Sequence, residues 1–189
     1  MARSRTPQLR GAPALGSSLV LFVAMLLTAA AGSLIIARHP RVAGGVALLA
    51  GAAILWGWYI AHSEATARSR FVSMLVDPLY DAMLLAPIAW VARSNEPGLA
   101  ALAMVALGLS YIAAYERARA DALGFKTFES VGYRAARIAL ISIGLIADRL
   151  TIALSLLIAL TAAAATVRAV NVAMQHRRSK PRRLGRAAR

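Results

Sequence analysis

The sequence predicts an all-α, polytopic integral membrane protein, a bundle of six transmembrane helices. Three observations predict it. Of the 189 residues 59% are hydrophobic and the mean hydropathy is +0.62, which leaves too little polar surface to cover a water-soluble core. The charges, 22 Lys and Arg against 8 Asp and Glu for a net +14, crowd into short stretches between long Ala, Leu, Val and Ile runs. Those runs are close to the roughly 20 residues that one bilayer crossing needs. The lack of any cysteine excludes a disulfide framework, a thiolate metal site, a zinc finger and a cysteine nucleophile.

The first helix lies within the uncharged stretch 11–37. Its basic start and the run Ala29, Ala30, Ala31 also fit a signal peptide, but 27 uncharged residues exceed the usual apolar core of one. The second helix spans 42–63. The third, 71–92, is apolar enough to span but carries Asp77 and Asp81, and since a charge inside the bilayer costs several kcal/mol these acids must face away from lipid. Pro78 removes one backbone hydrogen bond there and is expected to open the helix locally. The fourth helix spans 97–115, the fifth 131–147 with Arg134 and Arg137 near its start, and the sixth 150–167. The resulting organisation is a basic N-terminus (1–14), a membrane domain (15–172) and a basic tail (173–189) expected to be disordered.

Orientation follows from basic residues, which stay on the cytoplasmic side. With both termini inside, 18 Lys and Arg fall inside and four (Arg38, Arg41, Arg93, Arg149) outside. The expectation is a multi-pass protein of the cell membrane, the inner membrane in a bacterium, with both termini cytoplasmic. Outer loops at 38–41, 93–96 and 148–149 are so short that the helices they join form antiparallel hairpins, so chemistry is expected to face the cytoplasm. The tail HRRSKPRRLGRAAR (176–189) fixes topology or binds anionic membrane lipids, each base adding about 1 kcal/mol near an anionic leaflet. No aromatic residue interleaves it, so nucleic acid is not an expected partner.

Asp77 and Asp81, four residues apart, share one helix face. Counted from Phe71, they sink roughly 9 to 15 Å below the inner boundary. Acids at that depth line a water-filled cavity, hold a cation with hard oxygen ligands, or pair with an arginine such as Arg68 or Arg134. In YERARADALGF (115–125), Arg117 and Asp121 fall on one face and Arg119 on nearly the opposite one, so no single face uses both arginines. Arg134 and Arg137, three apart, can point together at one anion, and guanidinium groups suit phosphate. Ordinary positive-inside loop charge is the other reading of either pair.

The stretch SYIAAYERARADALGF followed by ESVGYRAARIALI, with SRFVSMLVDPLYDAMLL (69–85) upstream, resembles the CDP-alcohol phosphatidyltransferase family, in particular its phosphatidylinositol-phosphate synthase-like branch. The resemblance covers about residues 60 to 145 and implies a six-helix fold with cytoplasmic termini. The family motif is D-x-x-D-G-x-x-A-R, then about eight residues, then G-x-x-x-D-x-x-x-D, and its four aspartates hold two divalent cations. Its second half falls on Asp77 and Asp81, with Ser73 at the glycine. Counting back puts the first two aspartates at Trp56 and Tyr59, where there is no acid; setting Ala67 and Arg68 on the motif's A-R puts Ser63 and Glu64 on its Asp-Gly pair.

The resemblance implies transfer of a phosphatidyl group from CDP-diacylglycerol to an alcohol such as inositol phosphate, with release of CMP. It makes Asp77 a ligand of Mg²⁺ or Mn²⁺, Asp81 the general base or a second ligand, and Glu64 the one nearby acid to replace a lost ligand. Arg68 falls on the nucleotide side, and Arg117, Arg119, Arg134 and Arg137 on the phosphate of the acceptor. Family members often dimerise, and Gly44, Gly45, Gly51 and Gly57 permit the close packing a homodimer uses. Two missing aspartates also fit a family member that has lost catalysis and serves as a lipid-binding or partner subunit. A small ion or solute carrier using the two acids ranks last, since no internal repeat or paired discontinuous helix accompanies them.

Overall fold

The computed structural model describes residues 13–64, 67–125 and 131–179 and is helical throughout. Its helices are α1 (Pro13–Ile36), α2 (Pro40–Glu64), α3 (Ala67–Ala92), α4 (Pro97–Ala122), α5 (Val131–Ile146) and α6 (Leu150–Ser179). All but α5 are long and apolar enough to cross a membrane. At 16 residues α5 reaches only about 24 Å, short of the roughly 30 Å hydrocarbon core.

Sidedness inside each helix follows the rule for lipid rather than water. In α1 the large side chains Leu19, Phe22 and Leu26 are exposed, while Ser17, Leu21, Ala24, Thr28, Ala31 and Ile35 are buried at alternating spacings of three and four. The same seam runs along α4 as Ala103, Ala106, Ser110, Ala113, Arg117 and Ala120. Hydrocarbon outside offers Leu or Phe as apolar a home as the interior does, so small residues take the seams where backbones approach.

The helices close a ring in the order α1, α2, α5, α6, α4, α3 and back to α1, and α2 also touches α3. Glycine sets the closest seam. A Cβ on Gly44 of α2 would stand 2.7 Å from the Ser142 carbonyl oxygen of α5, and one on Gly51 would meet Ile138. Gly57 faces Leu21 of α1, so of the four glycines that favoured a homodimer only Gly45 opens onto free space.

The tight turns α1–α2 and α5–α6 each place a non-glycine residue in the left-handed region, Arg38 (φ 64) and Asp148 (φ 56). Each closes with a six-to-one bond, from His39 N–H to Leu34 C=O and from Arg149 N–H to Gly144 C=O, both 2.9 Å. At this end of the ring a cavity of about 480 Å³ opens over Ile35, Ile88, Leu99 and Leu145.

Three expectations need correction. Pro78 does not open α3, which runs unbroken through Pro78 and Pro87, because neighbours on both sides hold the segment. Helix α4 continues seven residues past 115, since Glu-Arg-Ala-Arg-Ala-Asp-Ala is a run of good helix formers with one weak one. Helix α6 continues to Ser179, so residues 173–179 are helical and not part of a disordered tail. Residues 1–12 and 180–189, and with them most of the basic N-terminus and tail, lie outside the described residues, as does Lys126.

Candidate functional site: an intramembrane charge cluster

The ring closes around polar side chains at the end opposite the tight turns. Helix α3 contributes Asp77 and Asp81, α4 Ser110 and Arg117, and α5 Arg134 and Arg137. Each points inward for a reason legible in its helix: Ser110 and Arg117 continue the small-residue seam of α4, and Arg134 and Arg137 open the buried face of α5 that runs on through Ile138, Ile141 and Leu145.

Asp77 accepts from Arg134 (Nη1 to Oδ1, 3.0 Å) and sits 3.5 Å from Arg117 through Oδ2. Asp81, deeper and nearly sealed, is ion-paired with Arg137 and accepts the Ser110 hydroxyl. Ser110 in turn accepts from Arg137 Nη2 at 2.8 Å. Aromatic rings take up part of the remaining positive charge. Arg134 lies 5.2 Å from the Trp58 ring, and Arg137 and Arg168 lie 5.5 and 5.9 Å from the ring of Tyr133. Arg168 also donates to the Ala113 carbonyl at 2.9 Å, which ties α6 to α4. Beside the cluster, Tyr80 donates to the Ala47 carbonyl at 3.0 Å and joins α3 to α2.

Among the described residues three arginines, Arg117, Arg134 and Arg137, thus face two carboxylates, for a local charge of +1. Free space is small: the cavity bounded by Ile54, Asp77, Tyr80, Asp81, Arg134, Arg137 and Ile138 is about 20 Å³, enough for about one water molecule. Among the described residues no three acids or histidines converge to hold a metal ion. Mg²⁺ or Mn²⁺ needs several anionic oxygens in an octahedral shell. Here the carboxylates already face guanidinium groups, so the donor set among the described residues does not fit a divalent cation.

Of the residues singled out from sequence, Asp77, Asp81, Arg117, Arg134 and Arg137 come together. Arg119 does not: it is exposed on the far side of α4 from buried Arg117, in agreement with the opposite-face reading. The side chains of Glu64 and Arg68 lie outside the described residues. Trp56 and Tyr59, the positions reached by counting back for the missing motif aspartates, face outward, their ring centroids 6.1 Å apart. The residues α2 turns toward the cluster are Ile54 and Trp58.

Sequence reasoning missed Ser110, Trp58, Tyr133 and Arg168. Arg168 carried a usable signal, as a lone base within an otherwise apolar run. Ser110 lies seven residues before Arg117, on the same stripe. No protein-family model matches the chain, and no curated protein matches it.

Proposed function

We propose that this chain is a multi-pass protein of phospholipid biosynthesis, built on the CDP-alcohol phosphatidyltransferase plan that residues 60–145 resemble, in which metal-dependent phosphatidyl transfer has been lost. It acts as a lipid-binding or partner subunit. One observation carries the reading: both acids that would hold the cations are engaged by arginines, which outnumber them among the described residues. A dication entering this centre would meet repulsion where the family's reaction needs four carboxylates. What the residues do instead is fasten α3, α4 and α5 together across the ring.

In this reading α5 is a sixth, short crossing whose basic start sits at the cytoplasmic interface, and both termini are cytoplasmic. The 18-to-four distribution of basic residues supports that orientation in a cell membrane.

The test is CMP release from CDP-diacylglycerol by the purified protein with Mg²⁺ or Mn²⁺, against inositol phosphate, glycerol phosphate and serine. An active family enzyme runs beside it, and Mn²⁺ binding is followed by electron paramagnetic resonance. The expected result is no turnover and no bound Mn²⁺. Metal-dependent turnover that disappears in Asp81→Asn would overturn the reading and establish the transferase.

A further inference from the structure

A second cavity, about 480 Å³, lies between α4 and α6 at the same end of the bundle as the charge cluster but outside the ring. Its position is set by helix length. With 26 and 30 residues, α4 and α6 extend about 39 and 45 Å, against a hydrocarbon core of about 30 Å. Counted from Pro97 and Leu150, about 20 residues complete the crossing, so the cavity lies at the boundary and in the headgroup layer. The trough is nevertheless apolar, floored by Ala120, Ala169 and Ala173 and walled by Leu123. Apolar surface at that level needs a cover.

The rim specifies the cover. Arg119 is exposed and makes no ion pair among the described residues. Arg168 gives Nε and Nη1 to the carbonyls of Ala164 and Ala113, which leaves Nη2 for an anion, and makes no ion pair among the described residues. Glu116 has a buried carboxylate oxygen with no hydrogen-bond donor. Among the described residues two cations and one acid line the groove, for a net charge of +1, with one acceptor lacking a donor. A phosphate monoanion answers the arginines, a headgroup hydroxyl answers Glu116, and an acyl chain answers the trough.

We propose that the α4–α6 groove binds one anionic glycerophospholipid with a hydroxylated headgroup, its phosphate at Arg119 and Arg168 and its headgroup hydroxyl at Glu116. This deepens the lipid-binding reading above, on which its role in the protein rests. Phosphatidylcholine lacks both the net charge and the donor, and phosphatidate lacks the headgroup hydroxyl.

Native mass spectrometry of the full chain, equilibrated with equal amounts of dioleoyl phosphatidylglycerol, phosphatidate and phosphatidylcholine, tests this. One phosphatidylglycerol per chain should be retained in preference to the other two. Arg119→Gln, at an exposed position, should lower that retention about fivefold, the effect of removing one base near an anionic group. Glu116→Leu should erase the preference over phosphatidate. Ala169→Phe, which fills the trough, should abolish retention, whereas Val170→Phe on the neighbouring exposed face should leave it intact. Equal retention of phosphatidylglycerol and phosphatidylcholine, an unchanged preference in Arg119→Gln, or a dimer of the chain that Ala169→Phe splits would each overturn the proposal. CMP release is a separate readout: turnover would remove the non-catalytic reading and leave the groove standing, and failed lipid retention would do the reverse.

Discussion

Replacing Asp81 by Asn separates a clasp from a metal site, because the two assign opposite signs to its effect on stability. In a site of clustered carboxylates, removing one relieves repulsion and the metal-free protein holds or gains stability. Here Asp81 is paired with Arg137, and the two side chains are only 3% and 8% exposed. Asn keeps the shape and one acceptor for Arg137 or Ser110 but leaves the guanidinium charge without its counterion. Breaking one partner of a buried pair costs about 3–5 kcal/mol, and the retained hydrogen bond puts Asp81→Asn near the lower figure. Asp77→Asn should cost less, since Asp77 is 12% exposed and Arg134 keeps its contact with Trp58. The assay is equilibrium unfolding in mixed micelles followed by circular dichroism. The double variant Asp81→Leu with Arg137→Leu removes both charges and should recover part of the loss, since a buried pair replaced by apolar residues is often neutral. Unchanged or raised stability in Asp81→Asn, or a double variant that is worse than the single, would refute the clasp.

Two further predictions concern the backbone. Gly44→Ala forces a methyl to 2.7 Å from the Ser142 carbonyl oxygen and should cost about 1–3 kcal/mol in the same unfolding assay, as overpacking does. Gly45→Ala, one residue on and facing open space, should instead be neutral or stabilise by up to about 1 kcal/mol. Arg38→Gly relieves a non-glycine residue at φ 64 in the α1–α2 turn and should raise the unfolding free energy by about 0.5–1 kcal/mol, net of the freedom glycine gains in the unfolded chain. A loss of stability there would show that the Arg38 side chain does more for the fold than its backbone costs.

The helices were legible because charge is excluded from the bilayer: the starts of α4, α5 and α6 fall at Pro97, Val131 and Leu150 as the charge pattern predicts. The far ends of α4 and α6 were not, because helix-forming charged residues let them run past the apolar stretch. Which way each helix faces was legible only at polar residues. The four-residue spacing of Asp77 and Asp81 and the opposed faces of Arg117 and Arg119 both hold. The seams did not announce themselves, since lipid and interior are equally apolar and Ala106 looks no different from Ala101 in sequence. Pairing across helices lay beyond the reach of spacing. Arg134 was one of two bases weighed for the acids, while the placement of Ser110 between Asp81 and Arg137 depends on how α4 and α5 sit around the ring.

Among the described residues the central charge is positive because α2 adds no acid to the cluster. Of those residues α3, α4 and α5 bring two acids and three bases to the cluster, and α2 presents the uncharged Ile54 and Trp58. Carboxylates on that face would cancel the positive surplus and give the centre the oxygen ligands a cation requires. With Trp58 there, Arg134 has a ring to lie against while it pairs with Asp77. Asp77 and Asp81 are both held by arginines and the cavity beside them admits about one water, so these arginines serve the bundle before any substrate.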